Sequence, residues 1–229
     1  MKLTYFGHSA FQIQTADATL LFDPFITGNK HIDGIVKPDD LHPDVILLTH
    51  AHGDHWGDTV EIARRTNAMV IANFEITQYL ENKHDYHNVK PMNTGGSRTF
   101  DWGRVKQTWA QHSSSFPDGT YGGNPGGYLL EIEGKTVYNT GDTNPFFEMK
   151  WIGEEYTIDL ALMPIGDCYT MGPDDAVRAV KMLNPRLTIP LHYGTFPDIE
   201  VDLERWKGLM GEAGYSTRVL DFGETLDLP

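Results

Sequence analysis

Four side chains of types that commonly bind metals stand close together in this sequence, at His50, His52, Asp54 and His55. They follow the apolar run 45–48, which is typical of a strand buried on both faces. Residues two apart in an extended chain point to the same side, so His50 and His52 can converge on one ion. Asp54 and His55 lie where the chain turns into the next helix, and they can bind a second ion beside the first. The spacing predicts a metal site, for which imidazole favours Zn, Fe or Ni and a carboxylate also admits Mn.

The motif HAHGDH after a buried strand resembles the signature of the metallo-β-lactamase-fold hydrolases. Three further segments resemble the later metal-binding motifs of that family: QHS at 111–113, TGDT at 140–143 and LHYG at 191–194. The resemblance covers essentially the whole chain and selects His112, Asp142 and His192, which their spacing alone does not identify. All seven ligand positions are then filled, which argues against a non-catalytic relative.

By this resemblance the ligands divide between two ions. The first ion takes His50, His52 and His112, the second takes Asp54, His55 and His192, and Asp142 bridges both. The implied cofactor is a pair of divalent metal ions, with zinc preferred and Mn, Ni or Fe as alternatives. A hydroxide held between the ions would attack a polarised carbonyl or phosphoryl group, because metals lower the pKa of bound water. Asp54 is a candidate catalytic residue because it could orient this hydroxide; a role as ligand alone is the alternative.

Flanking segments resemble a narrower group of largely uncharacterised hydrolases: GHSAF at 7–11, LFDP at 21–24, PIGD at 164–167 and HYGTF at 192–196. That group is similar to the ascorbate-6-phosphate lactonase and N-acyl-phosphatidylethanolamine phospholipase branches of the family. The resemblance places His8 at the pocket, as a candidate catalytic residue that contacts the substrate or donates a proton to the leaving group. A histidine that is satisfied within the structure is the equally weighted alternative.

Two aspartates are candidates for holding a ligand histidine through its second ring nitrogen, as is usual at metal sites. Asp23 stands at the end of a predicted strand, and this role is preferred over that of a simple loop aspartate before proline. Asp167 follows another predicted strand and is the weaker candidate. Tyr193 and Thr195 follow His192, and they either line the pocket or pack in the core.

The elements that must position these residues alternate between short strands and helices. Strands are predicted at 3–6, 11–15, 19–22, 45–49, 69–72, 89–92, 98–101, 105–111, 128–133, 136–139, 160–164, 186–191 and 217–220, and helices at 58–65, 74–82, 173–183 and 201–213. Together with the resemblance, this order predicts an α+β fold in one domain spanning 1–229, a four-layer αβ/βα sandwich of two mixed sheets flanked by helices. The loops 23–44, 113–127 and 166–172 are candidate functional segments, and 113–127 is either a mobile lip over the site or a surface loop.

The composition is that of a soluble globular protein, with 229 residues, 40% of them hydrophobic and 22% charged. A net charge of −14 repels a polyanionic backbone, so the expected partner is a small-molecule substrate and not nucleic acid. No apolar run has the length of a signal peptide or a membrane span, and we expect a cytoplasmic protein with no membrane partner. The one cysteine, Cys168, matches no ligand position. The sequence does not fix the oligomeric state, and a homo-oligomer is one of the alternatives.

Four functions fit these patterns to different degrees. The preferred one is hydrolysis of a small ester, lactone or amide. A phosphodiesterase or phospholipase-type hydrolase is the alternative, against which the missing basic cluster and the missing lipid anchor both count. An iron-dependent redox enzyme on the same scaffold ranks lower, because the chain has no room for the flavin domain that the diiron reductases carry. A non-catalytic binding module ranks last, because the ligand set is complete.

Overall fold

The computed structural model describes residues 1–228, in which thirteen strands and six α-helices alternate along the chain. The strands are β1 (Lys2–Gly7), β2 (Ala10–Gln14), β3 (Thr19–Phe22), β4 (Val45–Leu47), β5 (Met69–Asn73), β6 (Val89–Met92), β7 (Ser97–Phe100), β8 (Gly103–Trp109), β9 (Gly126–Ile132), β10 (Lys135–Asn139), β11 (Leu160–Pro164), β12 (Leu187–Leu191) and β13 (Thr225–Asp227). The helices are α1 (Gly53–Trp56), α2 (Thr59–Thr66), α3 (Phe74–His84), α4 (Glu148–Glu155), α5 (Pro173–Leu183) and α6 (Leu203–Glu212).

Both sheets are mixed. The first has the order β13-β1-β2-β3-β4-β5-β6, antiparallel as far as β3 and parallel from β3 to β6. The second has the order β12-β11-β10-β9-β8-β7, parallel from β12 to β10 and antiparallel from β10 to β7. The strands β8, β10 and β12 therefore run in the same direction, and their carboxyl ends lie at the same edge of the second sheet.

Alternating apolar side chains explain why the two sheets pack on each other. Successive side chains of a strand point to opposite faces, so one set in each strand can be buried between the sheets. Tyr5 and Phe22 of the first sheet share one buried cluster with Tyr128 and Leu162 of the second. Phe11 stacks on Phe22 at 4.4 Å between ring centroids, which fixes the register of β2 against β3.

The opposite faces of the sheets are covered by helices. On the first sheet, Val70 of β5 belongs to a cluster with Ile62 of α2 and Leu80 of α3. On the second sheet, Met163 of β11 packs in a cluster with Trp206 of α6. The predicted α+β sandwich of two mixed sheets flanked by helices is thereby confirmed.

The predicted element order is wrong at the segment 217–220, and it lacks α1, α4 and β13. The segment 217–220 is not a strand; only Thr217 pairs, in an isolated bridge to Thr188, and the chain turns away before β13 pairs with β1. Helix α4 was not expected from the sequence. Met149 is the only fully buried residue of α4, so the sequence lacks the regular spacing of apolar residues by which an amphipathic helix is recognised.

The loop 113–127 is fixed to the rest of the protein by hydrogen bonds. Ser114 Oγ accepts from Ala51 N at 3.2 Å, and Asn73 Nδ2 donates to Gly122 O at 2.7 Å. The loop also carries an antiparallel bridge between Ser115 and Tyr121. Within residues 1–228, no helix combines the length and the apolar character that crossing a membrane requires.

Candidate metal centre

The seven residues that the sequence assigns as metal ligands meet at one edge of the sandwich. Four of them follow β4 in the segment 50–55, and the other three follow the ends of β8, β10 and β12. Because these last strands run in the same direction, their carboxyl ends bring His112, Asp142 and His192 together. The first sheet contributes the histidine-rich segment from the facing side.

A first group of potential ligand atoms is formed by three histidines. The ligand atoms of His50, His52 and His112 all lie within 4.8 Å of one another. His50 Nε2 is 2.9 Å from His52 Nδ1, so the side chains two apart do converge. His50 is fully buried, whereas His52 and His112 are partly exposed.

A second group is formed around Asp54, and Asp142 stands between the two groups. The ligand atoms of Asp54, His55, His192 and His8 lie within 4.8 Å of one another. Asp142 Oδ2 lies 3.0 Å from His192 Nε2, 3.2 Å from His55 Nε2 and 3.7 Å from His112 Nε2. The central place of this carboxylate matches the bridging position that the sequence resemblance implies.

Asp23 holds the inner side of the centre. Its Oδ2 lies 3.0 Å from His55 Nδ1 and also accepts from Thr49 Oγ1 at 2.7 Å. Thr49 Oγ1 in turn lies 3.0 Å from His50 Nδ1. One buried carboxylate therefore orients a histidine of each group, and Thr49 is a partner that the sequence analysis did not name.

Asp167 is not brought against a ligand histidine. Its carboxylate accepts from the backbone N of Cys168 at 2.9 Å, within its own turn, and the residue is exposed. The turn has an unusual backbone, because Asp167 and Cys168 both have left-handed φ values of 60° and 50°. The turn places Cys168 and Tyr169 in the lining of the cavity beside the centre, without using Asp167 to support a ligand.

His8 lies beside Asp54 and not in the open cavity. It is fully buried, its Nε2 is 3.0 Å from Asp54 Oδ2, and its Nδ1 is 3.0 Å from Thr195 Oγ1. The His8 ring also lies 4.0 Å from the His192 ring, centroid to centroid. Both ring nitrogens thus have protein partners, which gives the predicted role as a proton donor to the leaving group no geometric support.

The carboxylates of the centre favour positive charge on the histidines next to them. Burial by itself disfavours a charged His192, but the charge of Asp142 and its hydrogen bond outweigh burial and raise the pKa of His192 to about 9. For His55 burial is outweighed in the same way by Asp142 and Asp23, and its pKa is raised. Burial and the neighbouring His192 lower the pKa of His8 to about 4, so His8 is neutral at pH 7.

The chemistry of the donor set fits divalent metal ions. His55 Nε2 is buried and makes no hydrogen bond, although Asp142 Oδ2 lies only 3.2 Å away. A buried ring nitrogen without a partner is costly, and a metal ion at this position would satisfy it. Imidazole and carboxylate together suit the borderline metals of the zinc, iron and manganese series.

A cavity of about 500 Å³ opens above the centre. Its lining includes metal-ligand candidates together with Ser113, Cys168, Tyr169 and Phe196. None of these four is a functional candidate in the sequence, where Cys168 matches no ligand position. Loop position was the available signal, since Ser113 and Tyr169 fall in two of the segments marked as candidate functional loops.

Comparison with known proteins agrees with this geometry. Residues 2–192 match the family model described as β-lactamase superfamily domain. A UPF0173 metal-dependent hydrolase of Salinibacter ruber is 52% identical over 228 residues, covering all of both chains. The UPF0173 metal-dependent hydrolase YtkL of Bacillus subtilis is 49% identical, again covering all of both chains.

A solved structure shares the fold along the whole chain. Igni18, a metallo hydrolase from the archaeon Ignicoccus hospitalis, is 37% identical with a TM-score of 0.87, over 100% of this chain and 99% of that one. This confirms the metallo-β-lactamase fold, while the finer similarity to the ascorbate-6-phosphate lactonase branch stays a prediction. The chain belongs to the β-lactamase superfamily, as one of its metal-dependent hydrolases.

Proposed function

We propose that this hydrolase cleaves a small carboxylic ester, lactone or amide at a centre of two divalent metal ions, preferably zinc. One observation carries the proposal. Seven imidazole and carboxylate side chains from separate strand ends form overlapping ligand groups at the floor of one open cavity. A group that only stabilised the fold would be closed, whereas a catalytic metal site keeps a face open to substrate.

The residues around the cavity have different roles in the proposed hydrolysis. When bound, the metal ions supply Lewis acidity and lower the pKa of a water molecule, which makes a nucleophile near neutral pH. Asp54 is 28% exposed at the side chain and lines the cavity, so it can accept a proton from the attacking water and orient it. His8 donates from its buried side to Asp54 Oδ2 and keeps that carboxylate in place.

His8 is therefore proposed as a positioning residue. With Nε2 protonated toward Asp54, its Nδ1 accepts a hydrogen bond from Thr195 Oγ1. The Asp54 carboxylate can only accept, so it fixes the Nε2–H tautomer of His8, and Thr195 holds the ring through its second nitrogen. The chain of contacts from Thr195 through His8 to Asp54 lies entirely within the protein.

The competing functions receive less support. Redox chemistry on the same scaffold is not favoured, because the relatives that span the whole chain are named hydrolases. Phosphodiester hydrolysis would use the same centre and is separated by substrate testing. A small-molecule substrate in the cytoplasm, without nucleic-acid or membrane partners, remains our expectation, and homo-oligomerisation remains possible.

The test combines metal content with turnover. Purified protein is stripped with a chelator, reloaded with Zn, Mn or Fe, and assayed on nitrophenyl esters, lactones, amides and bis-nitrophenyl phosphate. We expect two equivalents of metal and hydrolysis of a carboxylic substrate that disappears in Asp142→Asn. Turnover that is indifferent to metal, or turnover of the phosphodiester alone, would contradict the proposal.

A further inference from the structure

Apart from the histidines that are metal-ligand candidates, the cavity above the metal centre has no cationic side chain in its lining. None of the nine residues that line it, all within the described part of the chain, is a lysine or an arginine. Enzymes that select an anionic substrate usually supply arginine or lysine for its carboxylate or phosphate. Recognition of an anionic group away from the metal centre therefore has no partner in this cavity.

The net positive charge of the metal-loaded centre would also be small. Asp54 and Asp142 line the cavity, and Asp23 lies fully buried behind them, 3.0 Å from His55. These three carboxylates offset three of the four charges that two divalent ions would bring. The net charge of −14 adds a long-range repulsion of anions.

The wall beside the centre offers apolar surface instead of charge. Phe196 lies edge-on to the ring of His8 at 5.5 Å between centroids and 6.3 Å from the ring of Phe25, so its position is fixed by packing. Tyr169 is 54% exposed, and its hydroxyl donates to Asp198 Oδ2 at 3.2 Å. That hydrogen bond joins the loop 166–172 to the segment after β12 and holds an aromatic face at the rim of the cavity.

We propose that the substrate is an uncharged carboxylic ester or lactone whose apolar portion lies against Phe196 and Tyr169. This inference rests on the proposed function and adds the class of substrate to it. An apolar group gains free energy by leaving water at these rings. An anionic group at the same place would lose hydration without gaining a cationic partner.

The first experiment is a charge series on the zinc-loaded enzyme. Nitrophenyl butyrate is compared with nitrophenyl hemisuccinate, which has a similar acyl length but ends in a carboxylate. We expect kcat/KM for the neutral ester to exceed that for the anionic ester by about tenfold or more, since a carboxylate beside these rings loses part of its hydration and gains no cationic partner.

A cation placed in the cavity wall should reverse part of this preference. Cys168 is exposed, lines the cavity and contacts no ligand histidine. Cys168→Lys should raise kcat/KM for the anionic ester relative to the neutral one. Cys168→Gln introduces a side chain of nearly the size of lysine without its charge, and it should keep the wild-type preference for the neutral ester. Both variants retain the metal, which is checked by metal content.

The aromatic wall is tested by truncation. Phe196→Ala and Tyr169→Ala should raise KM for the neutral ester by about tenfold, because the apolar portion of the substrate loses its contact. Phe147→Ala is the matched control, since Phe147 is an exposed aromatic that does not line the cavity. An unchanged KM in both wall variants would overturn the assignment of the wall.

The outcomes separate this inference from the proposed function. Preference for the neutral ester, reduced by Cys168→Lys, supports the inference. Preference of the wild-type enzyme for the anionic ester overturns the substrate class and leaves metal-dependent ester hydrolysis intact. Hydrolysis of amides alone overturns the inference and leaves the proposed function intact. Failure of the metal-loaded enzyme to hydrolyse any ester, lactone or amide removes the proposed function, and the inference falls with it.

Discussion

His8 illustrates at the scale of one residue how backbone conformation serves the centre. It has a left-handed φ of 55°, and its carbonyl accepts from His192 N at 2.8 Å and from Tyr5 Oη at 3.0 Å. A left-handed conformation in a residue other than glycine costs about 1–3 kcal/mol and persists where surrounding contacts impose it. The strained turn between β1 and β2 thus brings the His8 ring against Asp54.

The contact between Thr195 and His8 gives the first prediction. Thr195→Val has nearly the same shape but removes the hydroxyl that meets His8 Nδ1, so a buried ring nitrogen of His8 loses its hydrogen-bond donor and the ring is held less firmly against Asp54. We expect kcat to fall by about 10- to 100-fold, as for other residues that orient metal-site groups. Thr195→Ser should restore most of the activity. Equal activity in the valine and serine variants would show that the hydroxyl has no positioning role.

Asp23 gives the second prediction at this scale. Asp23→Asn keeps the shape and the left-handed φ of 40°, which asparagine tolerates. It removes the charge behind His55, so metal affinity should fall by about 10- to 100-fold in a chelator competition assay.

Asp167→Asn is the matched control, because Asp167 also has a left-handed backbone but contacts no ligand histidine. Its affinity for metal should equal that of the wild type. Tight binding by Asp23→Asn would refute the supporting role of Asp23.

The sequence predicted these residues unequally, for physical reasons. His50 and His52 are close in sequence, so local strand geometry alone indicates their convergence. His112, Asp142 and His192 are far apart, and only the family resemblance selects them. Thr49 could not be found, and Thr195 is predicted only as a pocket-lining or core residue, because a hydroxyl that orients a histidine has no spacing rule and is recognised only when tertiary contacts are known.

At the scale of elements, the one-turn helix α1 carries Asp54 and His55. Its position depends on a close contact between the residue that follows it, Gly57, and the backbone at Pro24. Helix α1 ends at Gly57, whose φ of 39° and ψ of −126° lie outside the usual regions for other residues. A Cβ at Gly57 would lie 2.3 Å from Pro24 O, which also accepts from Asp58 N at 2.9 Å. The close approach of these two backbones therefore requires glycine.

Substitution of this glycine gives the third prediction. Gly57→Ala should lower the free energy of unfolding by about 1–3 kcal/mol through backbone strain, and it should also weaken metal binding by displacing α1. Gly208→Ala is the control, since Gly208 lies within α6 with open space around a new Cβ. It should stabilise by about 0.5–1 kcal/mol. Urea unfolding measures both, and equal stability of the two variants would contradict the steric argument.

Elements with a clear apolar period were predictable, and the others were not. Helix α5 was predicted at its observed bounds, because six of its residues are buried on one face and Pro173 opens it. The segment 217–220 has strand-like residues but only one bridge, to Thr188. Strand β13 consists of three residues with one buried side chain, so its pairing with β1 depends on tertiary structure that a short pattern does not reveal.

At the scale of the whole molecule, the metal centre is separate from the hydrophobic core. The three hydrophobic clusters lie between the sheets and beneath the helices, whereas the ligand candidates lie at one edge of the sandwich, beyond the carboxyl ends of β4, β8, β10 and β12. A chain of 229 residues can bury enough surface to fold without a metal. The carboxylates of Asp54 and Asp142 meet the ligand histidines there, so this edge is the place where metal adds stability.

Metal removal gives the fourth prediction. Chelation should abolish hydrolysis while the far-UV circular dichroism stays that of the folded protein, because the core does not depend on the centre. Free metal at 100 times its Kd adds about 2.7 kcal/mol of stability. For a chain of this size that corresponds to a rise in Tm of roughly 5–10 °C on reloading. Asp142→Asn should show no such rise, because the carboxylate between the two ligand groups is gone. Loss of secondary structure on chelation would instead mean that the metal holds the two sheets together.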